Sequence, residues 1–190
     1  MAQGRPGRPS PLGTALFVRC SSVASQPTFD LQVPGRPDSS VMDWFPARGF
    51  DTWCLDNEGY GRSDKQRPIN CDISSGALKA AVFAERHPER VARLALDDSV
   101  PTGTYVDMCS KLPLVDPARL SVPTILMRGQ YDGIAGMDDL IEFFKRLPNP
   151  DKQFVVMLGI SHASFQQKNY LMVYHILHAF FSRPEPVYKG

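Results

Sequence analysis

Short apolar runs and longer amphipathic stretches alternate along the chain, and this alternation predicts its secondary structure. The apolar runs predict strands over residues 14–18, 50–55, 91–96, 122–128 and 154–158. The amphipathic stretches predict helices over residues 75–86, 137–147 and 166–181, and a shorter helix that Asp38 or Ser39 would cap. Strands that alternate with helices after short loops indicate an α/β fold with a mostly parallel sheet flanked by helices.

Length and composition predict one folded domain. The chain has 190 residues, of which 43% are hydrophobic and 22% charged, as in an ordinary soluble protein. Residues 1–13 are rich in Gly, Pro and Arg, a composition that favours disorder. We therefore expect a disordered segment over residues 1–13 and a single domain over residues 14–190.

The charge and cysteine patterns argue against several classes of function. With a net charge of +1 and scattered basic residues, the chain has no field that would attract nucleic acid. No apolar run approaches the ~20 residues that a membrane helix needs. The four cysteines lack metal-binding spacing and include no Cys-x-x-Cys pair. We expect free thiols in a reducing compartment, the cytoplasm, and neither metal nor organic cofactor.

Three polar residues lie where predicted parallel strands give way to loops or helices. Ser74 precedes the helix over residues 75–86, and Gly76 follows it by two positions. Asp132 comes after the strand over residues 122–128, and His162 comes after the next strand. A serine hydroxyl on a tight turn, an imidazole that accepts its proton and a carboxylate that orients the imidazole form a nucleophilic triad. The chain order Ser…Asp…His is the order that one large fold family uses.

Together with the segments 56–63 and 87–91, these motifs resemble the α/β-hydrolase family over roughly residues 14–183. The resemblance implies a truncated α/β-hydrolase fold with Ser74 as nucleophile, His162 as base and Asp132 as acid. It also implies that the backbone N–H groups of Ser75 and Ser21 bind the oxyanion. The expected activity is hydrolysis of a small ester or related carbonyl substrate, with that small molecule as the only implied partner.

The sequence departs from the family pattern at three places. Asp72 stands two positions before Ser74, where the family has Gly, and Arg19-Cys20 replaces the family's His-Gly. Only 18 positions separate Asp56 from Ser74, which is too few for a loop, a crossover and a full central strand. We expect residues 69–73 to supply a short strand in its place. Residues 97–121 leave room for one turn of helix, near residues 105–109, instead of a cap.

These departures leave alternatives open. The chain is either a serine hydrolase or a shortened, non-catalytic relative that binds a small molecule or a protein partner. Ser75 is a second candidate for the nucleophile, and Asp97 and Asp98 are second candidates for the acid. A member that attacks through a carboxylate is disfavoured because Ser74 occupies the nucleophile position.

Overall fold

The computed structural model describes residues 2–4, 12–18, 28–56, 61–64, 76–97, 115–134, 136–162 and 164–183. The chain divides into two compact units, Met1–Gly76 and Ala77–Gly190. The two described sheets contain three strands each, and most of the strand pairs are parallel. The predicted α/β class with a mostly parallel sheet is therefore confirmed, while the single domain over residues 14–190 stays a prediction.

The first unit holds a sheet in the order β1-β3-β2. Its elements are β1 (Ala2–Gly4), β2 (Thr14–Val18), the short helix α1 (Val41–Trp44) and β3 (Asp51–Leu55). Strands β2 and β3 run parallel, with Thr14 opposite Asp51. Strand β1 pairs antiparallel with the other edge of β3, with Ala2 opposite Leu55, and the expected disorder over residues 1–13 stays a prediction. An edge strand exposes unpaired backbone groups that can hold a segment whose own sequence has no strand pattern.

Aromatic rings cover one face of this small sheet. Residues alternate along β2, so that Phe17 is buried while Leu16 is exposed. The Phe17 ring lies 5.3 Å from that of Phe29 and 5.2 Å from that of Phe45. Helix α1 begins after Ser40, not after the predicted cap at Asp38 or Ser39, because the Ser39 hydroxyl bonds to the backbone of residues 31 and 33 instead.

The second unit holds three parallel strands in the order β4-β5-β6. In chain order its elements are α2 (Gly76–Arg86, whose first residue belongs to the first unit), β4 (Leu94–Asp97), β5 (Thr124–Gly129), α3 (Met137–Arg146), β6 (Lys152–Met157) and α4 (Tyr170–Phe181). Every residue of the central strand β5 is buried, which explains its continuous apolar run. Asp97 pairs with Met127 and Gly129 pairs with Met157, so the three strands end at one edge.

Small residues let helix α2 pack closely in the core of this unit. Ala77, Ala81 and Ala84 are buried together with Leu96 of β4 and Leu126 of β5. Each fully buried leucine contributes roughly 1.5–3 kcal/mol to the free energy of unfolding. The core therefore holds the strands whose ends carry the polar residues described below.

Two elements start three or more residues later than the sequence predicts. The strand predicted over 91–96 begins at Leu94, because residues before it form a 3₁₀ turn at Pro88–Arg90. The helix predicted over 166–181 begins at Tyr170, after a separate 3₁₀ turn at Ser164–Gln166. The expected short strand at residues 69–73 and helical turn at 105–109 lie outside the described residues. Among the helices that are described, none has both the length and the apolar character to cross a bilayer.

Candidate active site

The loops after β5 and β6 bring two of the predicted site residues together. Asp132 lies on the first loop and His162 on the second, and their strands are parallel neighbours that end at the same edge. The Nδ1 atom of His162 lies 3.3 Å from Oδ2 of Asp132. The Asp132 side chain is fully buried, whereas 28% of the His162 side chain is exposed. A buried carboxylate thus faces one ring nitrogen of an imidazole that solvent can reach.

The loop after β5 turns so that one carboxylate oxygen is left for the imidazole. The N–H of Asp132 donates to the carbonyl of Gly129 at 3.1 Å. Its Oδ1 accepts the N–H of Ile134 at 2.8 Å, the bond of an Asx turn. Since Oδ1 is engaged by the backbone, Oδ2 is the atom that lies beside His162. The turn chemistry of Asp132-Gly133 and the contact with the histidine therefore occur together.

A buried arginine holds this loop from the inside. Arg128, the penultimate residue of β5, is buried. Its Nη2 donates to the carbonyl of Asp132 at 2.6 Å, and its Nη1 donates to the carbonyls of Gly129 at 3.0 Å and Gln130 at 3.4 Å. A buried guanidinium requires such acceptors, and here they belong to the turn that carries the acid. The sequence signal was a charged residue at the end of an apolar run, and our sequence analysis assigned it no role.

The loops after β5 and β6 are also joined directly. The side-chain Oε1 of Gln130 accepts the N–H of Gly159 at 3.0 Å. Gly129 lies so close to the second loop that a Cβ there would stand 2.6 Å from the carbonyl oxygen of Ser161 and 2.7 Å from that of Ile160. Gly159 has φ of 71°, a left-handed conformation that glycine adopts without strain. Glycines at both positions therefore allow the approach that places His162 beside Asp132.

Asp97, the alternative acid, lies at the end of β4 and has a different partner. The hydroxyl of Ser164 donates to its Oδ2. The Oδ1 atom is out of contact with solvent, although the residue as a whole is only partly buried. Burial raises the pKa of Asp97 to about 7; the bond from Ser164 opposes this rise, and the Asp132 carboxylate adds to it. No local sequence signal marks Ser164, because its partner is 67 residues away.

Several predicted residues lie outside the part of the chain that the structure describes. They are the predicted nucleophile Ser74, the oxyanion residues Ser75 and Ser21, the second alternative acid Asp98, and the departures Asp72, Arg19 and Cys20. Their roles stay predictions. Among the described residues, no cluster of three or more His, Cys, Asp or Glu side chains has the arrangement of a metal site.

The fold is that of the α/β hydrolases. No family model and no curated protein matches the sequence, but solved structures match the fold of the chain. A monoacylglycerol lipase from Paleococcus ferrophilus superposes with a TM-score of 0.67 at 14% identity, covering 96% of this chain and 98% of that one. An enol-lactonase from Burkholderia xenovorans gives 0.64 at 14% identity, covering 96% and 95%. An α/β serine hydrolase homologue from Coxiella burnetii gives 0.60 at 18% identity, covering 93% and 88%. The resemblance that the motifs indicated is therefore confirmed for the fold.

Proposed function

We propose that the protein is a serine hydrolase of small esters or related carbonyl compounds, with Ser74, His162 and Asp132 as its triad. The observation that carries the proposal is the contact between Nδ1 of His162 and the buried Asp132 carboxylate. Fold relatives described as a lipase, a lactonase and a thioesterase support the same class of reaction. The cysteine pattern supports a cytoplasmic location under this proposal.

The contact between His162 and Asp132 supports the following sequence of steps under this proposal. Asp132 accepts a hydrogen bond from Nδ1 of His162, which leaves Nε2 as the nitrogen that accepts the Ser74 proton. The Ser74 oxygen then attacks the carbonyl carbon, and the backbone N–H groups of Ser75 and Ser21 bind the oxyanion. The buried negative charge of Asp132 stabilises the imidazolium that forms. His162 next protonates the leaving group, and a water molecule hydrolyses the acyl-enzyme by the same route.

The test is covalent labelling. The protein is incubated with a fluorophosphonate probe, and the modified residue is mapped by mass spectrometry. We expect an adduct at Ser74 that Ser74→Ala abolishes and that Ser75→Ala, the matched control, retains. An adduct that persists in Ser74→Ala but disappears in Ser75→Ala assigns the nucleophile to Ser75. The absence of any adduct on the native protein rules out the hydrolase mechanism.

A second candidate is a non-catalytic relative that binds a small molecule or a protein partner. The observation that favours it is Asp72, whose carboxylate stands where the family's nucleophile turn has Gly. A negative charge close to the nucleophile opposes a developing oxyanion. Under this proposal the native protein takes up no probe.

A further inference from the structure

The segment that carries His162 is attached to the sheet at a second point. Ser164 lies two positions after His162, opens the 3₁₀ turn Ser164–Gln166, and is 2% exposed. Its hydroxyl donates to the carboxyl group of Asp97, the last residue of β4. A buried hydroxyl is almost always hydrogen-bonded, so this contact is a fixed part of the fold.

The two attachments come from two different strands, β5 and β4, which lie on the same side of β6 in the strand order. Strand β5 stands between β4 and β6, and its loop supplies Asp132 to the imidazole ring. Strand β4 supplies Asp97 to Ser164, a short distance further along the same chain segment. The ring is therefore held by its own hydrogen bond and by the anchoring of the backbone that follows it.

We propose that Asp97 is a positioning residue, which holds the His162 segment through Ser164 and so sets the imidazole against Asp132. The inference rests on the proposed function where it concerns catalysis, but the positioning itself is independent of a reaction. Two carboxyl groups share this part of the fold, and the structure gives them separate tasks. Asp132 contacts the ring, and Asp97 contacts the hydroxyl of Ser164.

The burial of Asp97 suits this task. A carboxyl group that burial keeps protonated up to about neutral pH puts little charge beside Asp132, whose carboxylate faces the imidazole. An amide can replace a neutral carboxyl group in a hydrogen bond, because its oxygen still accepts from the serine hydroxyl. Asp97→Asn should therefore keep the attachment, whereas Asp97→Ala and Ser164→Ala should lose it.

The first experiment observes the ring and needs no activity. Protein with isotope-labelled histidine is studied by NMR, and the His162 signal is assigned through His162→Gln. In the native chain we expect a strongly deshielded Nδ1–H proton from the bond to Asp132. Ser164→Ala and Asp97→Ala should broaden or abolish this signal, and Asp97→Asn should retain it. Ser182→Ala is the matched control, since that hydroxyl bonds the carbonyl of His178 at the far end of α4.

The second experiment measures turnover of an activated ester or, equally, the rate of probe labelling. We expect kcat to fall about tenfold or more in Ser164→Ala and Asp97→Ala with KM nearly unchanged, because a shift of about 1 Å at a catalytic group costs ~10²-fold. Asp97→Asn should restore the rate to within about threefold. Circular dichroism checks that each variant is folded. If Asp97→Ala does not fold, Ser164→Ala still tests the positioning role.

The outcomes separate the two proposals. A native protein that neither turns over nor labels refutes the hydrolase function, while the NMR signal still decides the positioning role. A His162 signal that Ser164→Ala and Asp97→Ala leave intact overturns the positioning role, whatever the activity. An Asp97→Asn variant as impaired as Asp97→Ala overturns it as well, since the charge and not the hydrogen bond would then matter.

Discussion

Gly129→Ala offers a sharp test of how the two loops hold the candidate acid–base pair. The three atoms nearest to a Cβ at this position are all backbone atoms, namely the carbonyl oxygens of Ser161 and Ile160 and the carbonyl carbon of Ile160, at 2.6–2.9 Å. Ordinary van der Waals contact for such atoms begins at 3.4 Å. Since no flexible side chain can move aside, the loop that carries His162 must retreat by about 0.5–0.8 Å, or β5 must shift.

The expected cost follows from two opposing effects. Overpacking a well-packed region destabilises a protein by about 1–3 kcal/mol. Replacing Gly by Ala also restricts the unfolded chain, which offsets about 0.4–1 kcal/mol of this. The net loss in the free energy of unfolding should be about 1–2 kcal/mol. For a protein of this size that corresponds to a decrease in Tm of roughly 2–8 °C.

Gly133→Ala is the control within the same loop, because a Cβ there has nothing within 4 Å. Both variants are compared with the native chain by thermal and urea unfolding, and by the deshielded Nδ1–H signal of His162. We expect Gly129→Ala to melt earlier and to lose the signal, with ester turnover reduced about tenfold or more. Gly133→Ala should match the native protein in all three measurements. A Gly129→Ala variant that melts with the control and keeps the His162 signal would show that the loops are not in close contact.

Three further predictions concern other parts of the structure. Asp132→Asn should lower kcat/KM for an activated ester by about 10³–10⁴-fold, because the imidazolium loses its counter-charge, and a rate within tenfold of native would contradict the triad. The folded pKa of Asp97, about 7, lies above its ordinary 3.8, so the unfolded chain releases this proton first as pH rises. The free energy of unfolding should therefore decline between about pH 4 and 7, by up to about 4 kcal/mol, and urea titrations should show a shallower decline for Asp97→Asn. Asp151→Asn should lower the free energy of unfolding, measured in urea, by about 3–5 kcal/mol, because the buried carboxylate of Asp151 pairs with two arginines. Glu142→Gln is the control: Glu142 belongs to an exposed pair, so its loss should cost less than about 0.5 kcal/mol.

The strands and helices that follow from a local pattern of apolar residues could be predicted from the sequence. Strand β5 is buried on both faces, so its run of apolar residues identifies it without ambiguity. Asp132 and His162 each follow a parallel strand, and parallel neighbours end at a common edge, so their proximity follows from topology alone. The starts of β4 and α4 shifted by three or four residues because 3₁₀ turns precede both elements.

The contacts that hold the loops of the candidate site in place could not be predicted from the sequence. The bond between Ser164 and Asp97 joins residues 67 positions apart, and neither residue has a local environment that reveals it. Arg128 bonds to nearby carbonyls, but only the folded turn points those carbonyls at the guanidinium. Strand β1 depends on the free edge of β3 and not on its own sequence, Ala-Gln-Gly. Each of these contacts joins groups that only the folded chain brings together.

The described supports of the acid–base pair all come from the second unit. Arg128, Gln130 and Gly129 shape or join the two loops, and Asp97 holds Ser164. These contacts hold Asp132 and His162 in the observed geometry. Loss of that geometry, as in Gly129→Ala, should slow labelling of Ser74 only if the serine depends on the pair for its reactivity. If Gly129→Ala loses both the His162 signal and the labelling rate, the reactivity of Ser74 depends on the contact between His162 and Asp132. If the signal is lost while the labelling rate is unchanged, the reactivity of Ser74 does not depend on that contact.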